Sequence, residues 1–292
     1  MKQLLLSTIL LFTSLIVNAQ LKAYQIFDKE GKEVTFEEMS KALEQYDVVF
    51  FGELHNNPIA HWLQFELSKS LATAKNNEII FGAEMFERDN QLVLNEYLEG
   101  YIKEATLIKD GKAWDNYKTD YAPLVDFAKE INAPFVATNV PRRYASIVSK
   151  KGLEELEKLE KSTKKQYIAP LPIEVPYDLP SYKEMEDMMA GHGMKGKAKN
   201  FVAAQAIKDA TMGNSIVKAL KDNKGKSMLH FNGNFHSKNH EGTVWYVKHY
   251  NKKVTCGVIS FVDQSDLSKV EDMNKGDNEF TIVCNLNMTK TF

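Results

Sequence analysis

The chain has 292 residues, 43% of them hydrophobic, and sets 37 Lys and Arg against 39 Asp and Glu for a net charge of −2. With no basic stripe, that balance excludes nucleic acid or an anionic membrane surface as a partner held by electrostatics. The length is enough to bury one sizeable core.

Lys2 precedes an apolar run from Leu4 to Val17, and Val17-Asn18-Ala19 closes it with small or tolerated residues. The run is shorter than the roughly 20 residues a membrane-spanning helix needs. Residues 1–19 therefore read as a secretory signal cut before Gln20. Because Gln20 is not Cys, no lipoprotein anchor is indicated, and the expected product is a soluble periplasmic or secreted protein.

Residues 20–292 read as one α/β domain with a mostly parallel central sheet flanked by helices. Tyr24 to Phe27 and Glu33 to Phe36 flank a turn-like Asp28-Lys29-Glu30-Gly31-Lys32, which predicts a hairpin. Thr35 with Glu38 has the form of a capping box for a helix over 36–46. Four apolar strand-like runs follow, ending near Glu53, Glu84, Asn139 and Gly233, with helices expected over 59–74, 90–107, 121–131, 201–220 and 241–250. Two last strands are expected over 254–262 and 280–286. Strand followed by helix, repeated, is the mark of right-handed crossovers. Pro170, Pro172, Pro176 and Pro180 break the pattern, so residues 162–198 read as an inserted helical lid. Cys256 and Cys284 fall in the last two strands; export permits a disulfide, and buried free thiols are equally ordinary there.

In a parallel sheet the carboxyl ends of the strands share one edge, where ligands bind. Glu53, His55, Glu84 and His236 are expected to meet there. Two histidines and two carboxylates suit a divalent transition metal or acid–base chemistry; as ordinary caps and loop residues they would need the same excuse at three strand ends. Asn139, Arg142 and Arg143 lie at a strand end and a helix N-terminus, a place that favours a carboxylate or phosphate. In the lid, Met185, Met188 and Met189 stand at helical spacing and His192 follows. Such a face packs a core or lines a large apolar ligand, and a histidine or Tyr182 beside it has the chemistry of a haem ligand; Tyr167 and Tyr177 compete for that role. Asp209 and Gln205, one turn apart on a long helix, are candidates to orient a histidine from behind.

Several stretches together resemble the ChaN-type haem-binding uptake family within the Tiki/TraB-like superfamily. They are Phe51-Gly-Glu-Leu-His-Asn-Asn-Pro58, Ala83-Glu-Met-Phe-Glu-Arg88 with Gln91, Asn139-Val-Pro-Arg142, His192-Gly193, Gln205 with Asp209 and Met212, and Gly233-Asn-Phe-His236. The resemblance implies an exported α/β haem-binding protein serving iron uptake, with a helical cap, a homodimer in some members, and outer-membrane uptake machinery as partner. Relatives in the superfamily are metal-dependent hydrolases, and the strand-edge cluster makes that the alternative function; a scaffold keeping a relic of the cluster is a third. Two departures stand out: Phe235 replaces a glycine of the family's Gly-Asn-Gly-His, and the family's common lipoprotein cysteine is missing.

Overall fold

A computed structural model describes residues 21–292, so the signal segment expected over 1–19 lies outside the described residues. The N-terminal hairpin is β1 (Tyr24–Asp28) and β2 (Glu33–Val34), leading into α1 (Phe36–Leu43). The Thr35 hydroxyl accepts from Glu38 N–H while the Glu38 carboxylate accepts from Thr35 N–H, so both orphan donors of the helix start are satisfied. The alternating part then runs β3 (Val48–Glu53), α2 (Pro58–Ala74), β4 (Ile79–Glu87), α3 (Gln91–Leu98), α4 (Glu104–Asp110), α5 (Ala122–Glu130), β5 (Phe135–Asn139) and α6 (Arg142–Lys151). After the irregular segment containing α7 (Lys161–Tyr167) and α8 (Pro180–Met189) come α9 (Ala198–Asp222), β6 (Ser227–Gly233), α10 (Thr243–Tyr250), β7 (Cys256–Gln264) and β8 (Phe280–Asn285).

The fold is α/β. Eight strands form one sheet in the order β2-β1-β8-β7-β3-β6-β4-β5, and every neighbouring pair from β8 to β5 is parallel. Only the β1–β8 and β1–β2 pairs run antiparallel. Period-two alternation sorts the side chains between two layers. Val49 and Phe51 join Leu63, Leu67 and Leu124 on one face, while Val48 and Phe50 join Ile216, Val244 and Val247 on the other. Covered on both sides, β3 is buried along its whole length, which is why it reads as an unbroken apolar run.

The helices expected over 90–107 are α3 and α4, parted at Gly100, whose φ of +83° no helix accommodates, and one local expectation shifts. The second core strand continues past Glu84 to Glu87, with an irregularity between Ala83 and Glu87 that re-registers it against β5. The cysteines are free and buried. Cys284 pairs across the sheet with Asp263, seven residues along β7 from Cys256, a separation of roughly 23 Å that no disulfide spans.

Gly213 lets α9 lie against α10: a Cβ there would stand 2.8 Å from Tyr246 Cβ and 3.1 Å from Val247 N. Since the obstacle is largely backbone, Gly213→Ala is expected to cost about 1–3 kcal/mol despite the better helix propensity of alanine, read as a lower urea midpoint at unchanged m-value. A midpoint equal to or above wild type would show that the two helices can separate freely.

Candidate functional site

Parallel pairing sets Glu53 of β3 opposite Gly233 of β6, and Ala83 of β4 opposite Phe231 of β6. The C-terminal parts of three adjacent strands thus bring Glu53, Glu84 and the segment through His236 to one edge. Gly233 is the meeting point. Its N–H donates to Glu84 Oε2 at 2.8 Å, and a Cβ on it would stand 2.7 Å from His55 Nε2 and 3.5 Å from Glu84 Oε2. Only a residue without a side chain leaves His55 and Glu84 facing one another there.

On one side of Gly233, Glu53 is buried to 1% exposure. Its Oε1 accepts from His55 Nδ1 and from the Tyr121 hydroxyl, each at 2.7 Å, and its Oε2 accepts from the Gln64 amide. A carboxylate only accepts, so neutral His55 carries its proton on Nδ1 and leaves Nε2 as a lone pair. Burial opposes charge on His55, but the bond to Glu53 and the field of Glu84 outweigh it and raise its pKa. Behind this pair, His61 donates from Nε2 to the His55 carbonyl at 3.0 Å and lies 3.4 Å from Asp120 Oδ2, which Asn116 also reaches.

On the other side His236, 5% exposed, lies between two carboxylates. Nδ1 meets Asp209 Oδ1 at 2.6 Å and Nε2 lies 3.1 Å from Glu84 Oε1. Asp209 also accepts from Thr243 at 2.8 Å and from the Tyr182 hydroxyl at 2.7 Å, and the Gln205 amide lies 3.0 Å from His236 Nδ1. Burial works against an imidazolium, yet Glu84 and Asp209 together lift the His236 pKa to about 10. Glu84 in turn is buried, and His236, His55 and Gly233 N–H hold its carboxyl well below the usual range. His230, also on β6, shows the opposite outcome. Burial pushes its pKa down to about 4, and it is held by Thr138 and Asn232 as a neutral core residue.

These contacts commit the donors expected for a metal to one another. Both His236 nitrogens and both Glu53 oxygens are already paired, and among the described residues no three His, Cys, Asp or Glu side chains are arranged to hold one metal ion. Asn139 is buried and supports the cluster indirectly, donating to the Glu84 carbonyl at 3.0 Å. Arg142 is 77% exposed with only Glu87 nearby at 4.0 Å, whereas Arg143 pairs with Asp89 and stacks on Tyr144 and Tyr167. Both arginines line a cleft of about 770 Å³ with Lys112, Trp114 and Asn116. Trp114 meets His55 edge to face at 5.0 Å between ring centres.

Of the segment between α6 and α9, Tyr182 reaches the cluster, its phenol buried and committed to Asp209. Met185 packs on the core formed by α6, α8 and α9, Met189 is half-buried, and Met188 and His192 are exposed at the far end of α8. His192 donates from Nδ1 to the Met188 carbonyl at 2.8 Å. Phe235, where the family carries glycine, lies half-buried against that same core.

Sequence reasoning passed over Gln64, His61, Tyr121 and Asp120, and named Arg88 only within the family resemblance. Asn57, His61, Gln64 and Ser68 are all buried on α2 or its cap, and their spacing of four, three and four is a polar stripe on one helix face that the sequence does display. Tyr121 and Asp120 carry no such signal. Arg88 reads as a loop residue, yet it is largely buried, binding Ser215, Asn214 and the carbonyls of Ile168 and Thr211.

The chain is an α/β protein with histidine–carboxylate pairs at the C-terminal edge of its sheet and the short helices α7 and α8 between α6 and α9. The model of the haem-binding uptake family, Tiki superfamily, ChaN, matches residues 39–247, and the chain belongs to that family. Its fold is similar to that of ChaN of Campylobacter jejuni, solved for its cofacial haem binding, at a TM-score of 0.67 and 17% identity, covering 90% of this chain and 98% of that one. Weaker likenesses include the type III effector HopBA1 (TM-score 0.49, 12% identity, 92% and 99% covered) and the erythromycin esterase EreC (TM-score 0.47, 9% identity, 90% and 83% covered). No curated protein matches the chain.

Because the folded pKa of His236 is raised from 6.5 to about 10, the stability this group contributes is complete below the lower value and lost as pH rises through the upper one. Glu84 works in the other direction: its folded value is depressed, so its contribution is present above 4.5 and lost as pH falls below that. NMR of ¹⁵N-labelled imidazole is expected to show His236 doubly protonated at pH 8 in wild type, and to show a markedly lower midpoint in Asp209→Asn. A neutral His236 at pH 8 in wild type would refute the paired-carboxylate account.

Proposed function

We propose that this chain is an exported haem-binding protein serving haem and iron uptake, with haem held between the lid over 162–198 and the sheet edge. Family membership supports the haem reading, and one geometric observation carries it to a residue. A carbonyl can only accept, so the contact of His192 Nδ1 with Met188 O forces neutral His192 to keep its lone pair on Nε2. Metal-bound histidines are commonly held in this way, the other nitrogen donating to a backbone carbonyl that fixes ring and tautomer. His192 is exposed, so Nε2 is open to an incoming iron.

Met188 and Met189 beside it would lie against the macrocycle, with Met185 anchoring the helix beneath. Their polarisable, flexible side chains suit an extended apolar face. Arg142, exposed and only loosely paired with Glu87 at 4.0 Å, is the freer of the two arginines for a propionate; Arg143 is engaged by Asp89. Tyr182 has its hydroxyl bound by Asp209 and burial raises its pKa, and Tyr167 is stacked on Tyr144 and Arg143, so Tyr177 is the most open of the three lid phenols. When bound, haem supplies the iron; the chain's part is to orient one nitrogen and cover the ring. Outer-membrane uptake machinery and a homodimer complete this reading. A metal-dependent hydrolase has less support, since Glu53, Glu84 and both nitrogens of His236 are already paired and of the cluster's four side chains His55 alone keeps a free nitrogen.

Titrating haemin into the purified protein is expected to give a saturable Soret shift. His192→Ala should change the band position and weaken binding about tenfold or more, equivalent to roughly 1.4 kcal/mol, while Tyr177→Phe should leave both nearly unchanged. The reverse pattern would transfer the ligand role to Tyr177, and the absence of any shift in wild type would remove the haem reading altogether.

A further inference from the structure

The Glu53–His55 pair has a geometry that haem binding at the lid does not use. Glu53 is fixed by Tyr121 and Gln64, and it holds the His55 ring by Nδ1. The His55 side chain is 36% exposed, and its unprotonated Nε2 faces the bare surface of Gly233. Glu84 Oε2 borders the same glycine, so a water reaching both groups would meet two acceptors, Nε2 and a carboxylate oxygen, with one O–H for each. A base must lie within hydrogen-bond reach of the proton it takes and be oriented from behind. The nearby cleft shares Trp114 and Asn116 with His55, Asn116 donating to the His55 carbonyl at 3.3 Å, and it carries Lys112 and Arg142.

We propose that His55 is the general base of a second, metal-free site that hydrolyses carboxylic esters bearing an anionic group. The His55 Nε2 lone pair takes one proton from water. The resulting hydroxide oxygen bonds to the ester carbonyl carbon, the bond from that carbon to the alkoxy oxygen breaks, and the departing oxygen takes the proton back from Nε2. The products are an acid and an alcohol, and no oxidant, reductant or metal enters the balance. Glu84 orients the water. Glu53 is a positioning residue that acts through the tautomer of His55. The anionic group of the substrate sits against Arg142 and Lys112.

The test uses the full protein in buffer containing EDTA, with p-nitrophenyl acetate as the neutral ester and mono-p-nitrophenyl succinate as the anionic one. Wild type is expected to hydrolyse the succinyl ester faster, and His55→Gln to lose about 10²-fold or more in kcat/KM while binding haemin as wild type does. Glu53→Gln is expected to lower kcat at unchanged KM and to abolish the Nδ1–H signature of His55 in the ¹⁵N spectrum. Arg142→Ala is expected to shrink the ratio of kcat/KM for the two esters about tenfold. Should His55→Gln fail to fold, carbethoxylation of wild type replaces it: loss of activity should track modification mapped to His55. Turnover no faster than buffer, equal turnover in His55→Gln, activity that needs an added divalent ion, or inactivation unrelated to His55 would each overturn the proposal. The haem reading rests on His192 and the Soret shift, shares Arg142 with this site, and would survive any of these outcomes.

Discussion

The arrangement at the strand ends depends on one register. Parallel pairing of β3, β6 and β4 sets Glu53 against Gly233 and leaves Glu84 within reach of the Gly233 N–H. Because side chains alternate faces along a strand, a slip of one residue would send these carboxylates to the opposite layer. The register is held from below by apolar residues that tolerate no such slip, with Val48, Phe50, Val49 and Phe51 divided strictly between two cores. Hydrophobic burial thus fixes the position of charged groups that would not assemble by themselves.

Burial then gives two similar pairs different chemistry. His236 and His55 each face a carboxylate at hydrogen-bond distance, but His236 has a carboxylate on both nitrogens and almost no exposure. It is a cation locked into a structural relay, with Asp209 further satisfied by Thr243 and Tyr182. Isolated charges at this depth would be costly, and the lattice of donors and acceptors is what offsets that cost. His55 has one nitrogen committed and one free. The difference lies in what surrounds each ring.

Much of this was legible from residue order alone. Unbroken apolar runs marked the buried parallel strands, and a polar residue at the end of each marked the edge, so Glu53, His55, Glu84 and His236 could be expected together before any coordinates. Asp209 could be placed behind a histidine because an acid on an apolar helix face needs a partner. The pairing within the cluster was not legible. A list of two histidines and two carboxylates describes a metal shell as well as two separate dyads, and only distances show that the donors are spent on each other. Tyr121 and Asp120 lie in an irregular helical turn, where neither period two nor period 3.6 betrays a buried face. The buried role of Arg88 was not legible either, because its acceptors lie on distant segments and include the backbone carbonyls of Ile168 and Thr211, which have no sequence signature.

The same buried bonds tie the lid to the cluster. At the start of α8, Ser181 N–H donates to Glu241 Oε2 at 2.7 Å and the Tyr182 phenol to Asp209, both out of water. Breaking either would leave a buried acceptor without its donor, so this first turn is the fixed end of the helix. The other end carries exposed Met188 and His192 and passes into Gly193 at a φ of +79°, with no core around it. α8 thus runs from an end anchored on Asp209 and Glu241 to an end left in water, and what separates the two is which of their polar groups find buried partners.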